Sequence, residues 1–104
     1  MKFYHVSGFE NFPKILKEGI KSNDLNEIFV FDDKIDLKHE IPYAAKNQLG
    51  YKDYALFEID GKGIIGNIVS DDVGELTAKH QRIIYQSVIE PKYIKFKGMF
   101  KVID

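Results

Sequence analysis

The alternation of apolar and polar positions at the start of the chain predicts a β-strand over residues 2–7. Successive side chains of a strand point to opposite faces, so Phe3 and His5 share one face while Tyr4 and Val6 share the other. His5 is the polar residue within this apolar run. An imidazole at a strand end can point into a cleft and bind a sugar hydroxyl or a phosphate, although a structural hydrogen bond is the commoner role of a single histidine.

A helix is predicted next, from Phe9 to Lys17, because apolar residues recur at helical spacing. Its apolar positions are Phe12, Ile15, Leu16 and Ile20. Pro13 suits the first turn of this helix, and Gly19 suits the position just past its last turn.

The rest of the chain predicts one further short helix, one helical turn and several strands. Strands are expected over Glu27 to Phe31, Asp53 to Ile59, Arg82 to Ile89 and Ile94 to Ile103, and a short strand or an extended stretch over Ile64 to Val69. A helix is expected over Ile41 to Leu49, and a helical turn over Val73 to Lys79 capped by Asp71 or Asp72. The last strand is expected to contain a β-bulge at Gly98. These elements predict a single α+β domain over residues 1–104, in which two short helices cover a small, mostly antiparallel sheet.

The composition narrows the classes of protein to which the chain can belong. Its 104 residues, 44% of them hydrophobic, fit one globular domain. Cysteine is absent, which excludes disulfides, thiolate metal sites and thiol catalysis. No apolar stretch approaches the roughly 20 residues that span a membrane, and the N-terminus has no signal-peptide pattern. A cytoplasmic location is therefore the simplest expectation.

The charge is nearly balanced, with 15 basic and 16 acidic residues and a formal net charge of −1. This balance argues against a protein whose main task is to bind nucleic acid through its phosphates. A local basic face remains possible over residues 92–101, where four lysines alternate with aromatic residues. Arg82 is the single arginine, and its planar fork can bind a phosphate or a carboxylate in a way that lysine cannot.

Most familiar catalytic and binding motifs are absent from the sequence. The three histidines show no metal-ligand spacing, so no metal site is expected. There is no glycine-rich phosphate loop and no serine in a nucleophile elbow. What remains is a set of polar residues at predicted strand and helix ends, namely His5, Ser7, Tyr43, Glu75, His80, Gln81 and Arg82. Each alone has an ordinary structural explanation, and only a shared location would favour a functional one.

Several segments resemble ADP-ribosyltransferase-like domains, a superfamily that includes the DarT toxins and the RNA 2′-phosphotransferases. Residues 4–20 resemble its first strand, which carries a histidine, and the following pattern N-x-x-x-I-L-x-x-G-[LI]. Residues 27–31 look like its next strand, and residues 42–45 look like a helix that carries an aromatic residue in the nicotinamide pocket. Residues 82–94 are similar to a late strand with an I-x-P-x-Y-I exit.

The resemblance implies NAD, or a related adenine nucleotide, as the cofactor. His5 would hold the ribose, Tyr43 would stack on nicotinamide, and a glutamate would assist attack at the ribose carbon. When the late strand is aligned with that of the family, Gln81 or Arg82 occupies the position of this glutamate, and neither can act as a base at neutral pH. Glu75, in the preceding loop, is the alternative carboxylate. The predicted catalytic residues are thus His5, Tyr43, Gln81 and Glu75, and the predicted cofactor-binding residues are His5, Ser7, Tyr43 and Arg82.

Three functions follow from the resemblance. The first is an NAD-dependent ADP-ribosyltransferase that modifies a nucleic-acid or protein acceptor, as a toxin or an anti-defence factor. The second is a non-catalytic member of the same fold, an inhibitor or binding protein from a mobile element. The third is an RNA 2′-phosphotransferase-like enzyme that uses His80, Arg82 and the basic face over residues 92–101, for which RNA binding would depend steeply on salt.

Overall fold

The computed structural model describes residues 1–47, 49–70 and 78–102, and within them the chain forms two α-helices and eight β-strands. In chain order these are β1 (Lys2–Gly8), α1 (Phe12–Glu18), β2 (Ile20–Lys21), β3 (Glu27–Asp32), α2 (Glu40–Asn47), β4 (Asp53–Asp60), β5 (Asn67–Ser70), β6 (Gln81–Tyr85), β7 (Val88–Ile89) and β8 (Ile94–Lys101). Short 3-10 turns precede α1 and follow β4, and two others lead into β6 and β8. No helix of these ranges is both long and apolar enough to cross a membrane.

Six strands form one sheet in the order β5-β6-β3-β1-β4-β8, and every neighbouring pair is antiparallel. β2 and β7 form a separate two-stranded ladder. β1 pairs with β4 along its whole length, from Lys2 to Gly8. On its other side β1 pairs with β3 only at Phe3 and Tyr4, opposite Asp32 and Phe31. The predicted α+β class and the mostly antiparallel sheet are therefore confirmed.

The two helices cover opposite faces of the sheet. Successive residues of a strand point to opposite faces, so each helix packs against a different set of apolar side chains. On one face Ile15 of α1 packs with sheet residues such as Phe57 and Ile84. On the other face Ile41 of α2 packs with residues such as Tyr4 and Leu56. Large apolar side chains buried in this way each contribute about 1.5–3 kcal/mol to folding.

The end of α1 follows the prediction made for Gly19. This residue has φ +88°, and its N–H donates to the carbonyl of Ile15 at 2.9 Å. A side chain at this position would overlap the backbone oxygen of Ile89 in β7. Gly19 therefore ends the helix and also lets β2 come close to β7.

The single strand predicted over residues 82–89 is wrong. It is two strands, β6 and β7, separated by a bend at Gln86 and Ser87. The Gln86 side chain is buried, and its Oε1 accepts from the N–H groups of Ile65 and Gly66 at 2.9 and 3.0 Å. Its Nε2 donates to the carbonyl of Gly63, in the turn after β4, at 3.0 Å and to that of Val88, just after the bend, at 2.8 Å. This buried amide thus ties residues 63–66 to the bend, where β6 ends and the chain goes on to pair with β2 as β7.

The bulge predicted in the last strand is confirmed. Leu56 of β4 pairs with Gly98, and the next residue, Phe57, pairs with Phe96, so one extra residue lies in β8. Gly98 has φ +142°, a backbone conformation that residues with a side chain rarely adopt. The helical turn predicted over Val73 to Lys79 lies mostly outside the described residues, whose 3-10 turn at this point covers Ala78–His80.

Candidate functional site

A cleft of about 740 Å³ lies where β1 and β3 separate beyond their short stretch of pairing. α1 and the turn after it contribute to its lining on one side, and the C-terminal part of α2 with the following loop contributes on the other. Its volume falls within the ordinary range of small-molecule sites, about 300–1,000 Å³. Its lining is mainly apolar, with amide, lysine and imidazole groups among the apolar residues.

His5 lies in this cleft and has a defined tautomer. Its Nδ1 is 2.9 Å from the backbone oxygen of Phe29. A carbonyl oxygen only accepts, so Nδ1 carries the proton and donates it. Burial lowers the pKa of His5 below its usual 6.5, and the hydrogen bond to Phe29 opposes this shift without cancelling it. The ring is therefore neutral at pH 7, and Nε2 is a hydrogen-bond acceptor.

Three of the residues predicted from the sequence line the same cleft, namely His5, Ser7 and Gln81. Ser7 is buried, and its Oγ donates to the carbonyl of Gly8 at 3.1 Å. Gln81 is the first residue of β6 and pairs with Phe31 of β3. Strand pairing thus brings residues from distant parts of the sequence to one place.

The other predicted site residues lie elsewhere or are not described. Tyr43 is on α2 and is 38% exposed, but it is not among the described residues that line the cleft. Its backbone oxygen accepts from Nδ2 of Asn47, a lining residue, at 3.2 Å. Glu75 falls in the range 71–77, outside the described residues.

Arg82 and His80 contact the same carboxylate, that of Asp32 at the end of β3. Arg82 places Nη2 3.1 Å from Asp32 Oδ2, and its Nη1 donates to the carbonyl groups of Lys79 and Gln81. His80 places Nδ1 2.9 Å from Asp32 Oδ1, and its Nε2 lies 3.7 Å from the Glu40 carboxylate. These side chains join the start of β6 to β3 and α2, and neither Arg82 nor His80 is among the described lining of the cleft.

The cleft also contains polar residues that the sequence did not single out. One end holds Asn23 and Glu27, whose Oε1 accepts from Asn23 Nδ2 at 3.0 Å. Glu27 is the one carboxylate among the described lining residues. The turn that places it could be suspected from the cluster of polar residues at 21–24, but its position in the lining of the cleft could not.

Two lysines, Lys14 and Lys21, line the cleft beside α1. Lys21 forms an ion pair with Glu18 at 2.7 Å, and the hydrogen bond from Lys21 lowers the pKa of the Glu18 carboxyl group below its usual value. No ion pair to Lys14 is found among the described residues. A positive charge at this wall of the cleft suits an anionic ligand.

The aromatic residues at the cleft are Phe29, Phe31 and Tyr51, none of which the sequence marked as functional. Tyr51 follows α2 and packs at the edge of the core on that face. Among the residues that the structure describes, no three histidine or acidic side chains lie together in a group that could hold a metal ion.

Comparison with known proteins gives no family for this chain. No protein-family model matches it, and no curated protein matches its sequence.

Proposed function

We propose that this chain binds NAD, or a related adenine nucleotide, in the His5 cleft and acts as an ADP-ribosyltransferase-like protein. The observation that carries the proposal is the state of His5. It is neutral, it keeps Nδ1 on the Phe29 carbonyl, and it leaves Nε2 as an acceptor in a cleft of nucleotide size. A ribose hydroxyl is a donor that suits such an acceptor.

The surrounding residues suit the other parts of a dinucleotide. Lys14 supplies a positive charge for the phosphates, and Lys21 can add a second one when a ligand competes with Glu18. Tyr51 takes the stacking role that the resemblance assigned to Tyr43, because Tyr51 lines the cleft. Asn11, which belongs to the N-terminal motif, also lines it and offers an amide to the ligand.

A transfer reaction would use the carboxylate of Glu27. The hydroxyl or amine of an acceptor attacks the ribose carbon that bears nicotinamide, and a new bond forms to that carbon. The bond from the carbon to nicotinamide breaks, and nicotinamide leaves with the electron pair as a neutral molecule. The proton of the acceptor passes to Glu27, whose negative charge also stabilises the positive charge on the ribose.

Calorimetric titration with NAD tests the binding step. The unsubstituted protein is expected to bind NAD, and His5→Ala to weaken binding about tenfold or more, because losing one hydrogen bond of about 1.4 kcal/mol has that effect. His39→Ala is the matched control, because the His39 side chain is 82% exposed and lies outside the described lining of the cleft. Absence of NAD binding by the unsubstituted protein would refute the proposal.

Release of nicotinamide in the presence of DNA, RNA or protein acceptors tests the transfer step. Glu27→Gln is expected to keep NAD binding and to lower turnover about 100-fold, the usual scale of general acid–base catalysis. Binding without turnover for every acceptor would instead favour the non-catalytic member of the fold. Two observations point toward that alternative, namely the positions of Tyr43 and Arg82 away from the cleft lining.

A further inference from the structure

The two edges of the six-stranded sheet differ in how they are protected. β5 forms one edge and β8 the other. β5 has the sequence Asn-Ile-Val-Ser, with no charged residue, no proline and no bulge, and all four of its residues are exposed. β8 carries Lys95, Lys97 and Lys101, all exposed, together with the bulge at Gly98. Lysines and bulges are the usual means of preventing an edge strand from pairing with another chain.

Apolar side chains are exposed along the β5 edge, as are Phe96 and Phe100 on β8. Ile68 and Val69 of β5 are 42% and 41% exposed, and Ile65 just before them is 88% exposed. Tyr85 on the neighbouring strand β6 is 38% exposed, and Phe29 on the next strand, β3, is 47% exposed. β5 pairs with β6 on one side, and no second partner strand for it exists in the part of the chain that the structure describes.

We propose that β5 is the junction between two copies of this chain, which pair their β5 strands antiparallel about a two-fold axis and form one continuous sheet. An antiparallel pair of identical strands is self-complementary, so the same short edge can serve both partners. A two-fold axis through the junction is perpendicular to the sheet and keeps each face on its own side. Either Ile68 or Val69 then lies on the axis, opposite its own counterpart.

A second copy is the partner that these features favour. A neutral strand that opposes itself brings no like charges together, and pairing satisfies backbone groups at the β5 edge. Pairing of β5 with β8 of another copy would give open fibres, and the lysines and the bulge of β8 oppose it. Four residues form a short ladder, so this dimer is expected to dissociate on dilution. The inference is independent of the function proposed for the cleft.

Disulfide trapping tests the junction directly, because the chain has no cysteine of its own. The variants are Ile68→Cys and Val69→Cys, and Phe100→Cys is the control, since Phe100 is 43% exposed on the opposite edge strand. Opposed residues of antiparallel strands have Cα atoms about 4.5–5.5 Å apart, within the range that a disulfide spans. One of the two β5 variants is expected to form a covalent dimer roughly tenfold faster than the control, because pairing raises the effective thiol concentration.

Equal rates for all three variants would overturn the proposal, since random collisions would then explain the cross-linking. Sedimentation velocity of the unsubstituted protein gives a second test that does not depend on a cysteine. Its sedimentation coefficient should rise with concentration toward that of a dimer, whereas Val69→Lys should remain a monomer and Phe100→Lys should behave like the unsubstituted protein. A monomer at every concentration, or a dimer unaffected by Val69→Lys, would refute the β5 junction.

Discussion

Nδ1 of His5 donates to the backbone oxygen of Phe29 at 2.9 Å, across the gap where β1 and β3 stop pairing. A side chain thus links two neighbouring strands beyond the end of their backbone ladder. The same ring lines the cleft that this separation opens. His5 is therefore both a structural residue and a candidate ligand-binding residue, and the two roles need separate measurements.

The stability of the protein is expected to depend on pH through His5. Burial holds the pKa of His5 below 6.5 in the folded state, so the unfolded chain binds a proton first as the pH falls. The contribution of the neutral ring is fully present above 6.5, and it is lost as the pH falls from 6.5 toward the folded pKa. The free energy of unfolding, measured with urea at a series of pH values, should therefore decrease below pH 6.5.

His5→Gln should flatten this decrease, because glutamine does not titrate. His39→Gln is the control and should keep the slope of the unsubstituted protein, since the His39 side chain is 82% exposed. Equal slopes for His5→Gln and the unsubstituted protein would show that another group carries the pH dependence.

The buried side-chain amide of Gln86 is expected to contribute more to the free energy of unfolding than any surface interaction among the described residues. Gln86→Leu keeps the side-chain size but leaves four backbone groups without their partner. Some of these groups can reach water, so we expect a loss of about 3 kcal/mol, within the range that unsatisfied buried groups produce. Urea unfolding measures it, with Ser87→Ala as the exposed neighbouring control, expected within about 0.5 kcal/mol. A loss below about 1 kcal/mol for Gln86→Leu would contradict the role of the amide.

Elements that depend on local pattern were predictable from the sequence. Alternation identified β1 and β4, helical spacing with Pro13 and Gly19 identified α1, and a glycine within a strand pattern identified the bulge at Gly98. Each of these features is decided by residues only a few positions apart.

Features that depend on distant partners were not predictable. Gln86 sits in a sequence that is typical of one long strand, and the bend there is decided by N–H groups 20 and 21 residues away. Arg82 was predicted to bind a phosphate, but its guanidinium donates a hydrogen bond to Asp32, 50 residues away. Glu27 entered the candidate site only because β3 separates from β1. A single sequence contains no local signal for such pairings.

Arg82 is expected to support the fold rather than to bind NAD. Arg82→Gln removes the donors to Asp32 and to two carbonyl groups, and the side chains of this pair are only 25% and 19% exposed. We expect a loss of about 1–2 kcal/mol in the free energy of unfolding and no more than about a threefold change in NAD affinity, a difference below 1 kcal/mol. Lys92→Gln is the control, because its ion pair with Glu90 is well exposed and should contribute almost nothing. Weaker NAD binding with unchanged stability would instead place Arg82 at the ligand.

Gly19→Ala and Gly50→Ala compare a glycine at which an added Cβ would overlap the backbone with one at which it would meet no described atom. Both glycines have positive φ, +88° and +71°, which disfavours alanine at either position, and Gly19 also has ψ −178°, a combination found almost only in glycine. At Gly50 no described atom lies within 4 Å of an added Cβ, whereas at Gly19 the Cβ would overlap the Ile89 oxygen. We therefore expect Gly19→Ala to lower the free energy of unfolding by about 2 kcal/mol more than Gly50→Ala, since it must also push β2 away from β7. Equal losses in urea unfolding would mean that β2 and β7 move apart freely, and that the close approach of Gly19 to Ile89 does not stabilise the fold.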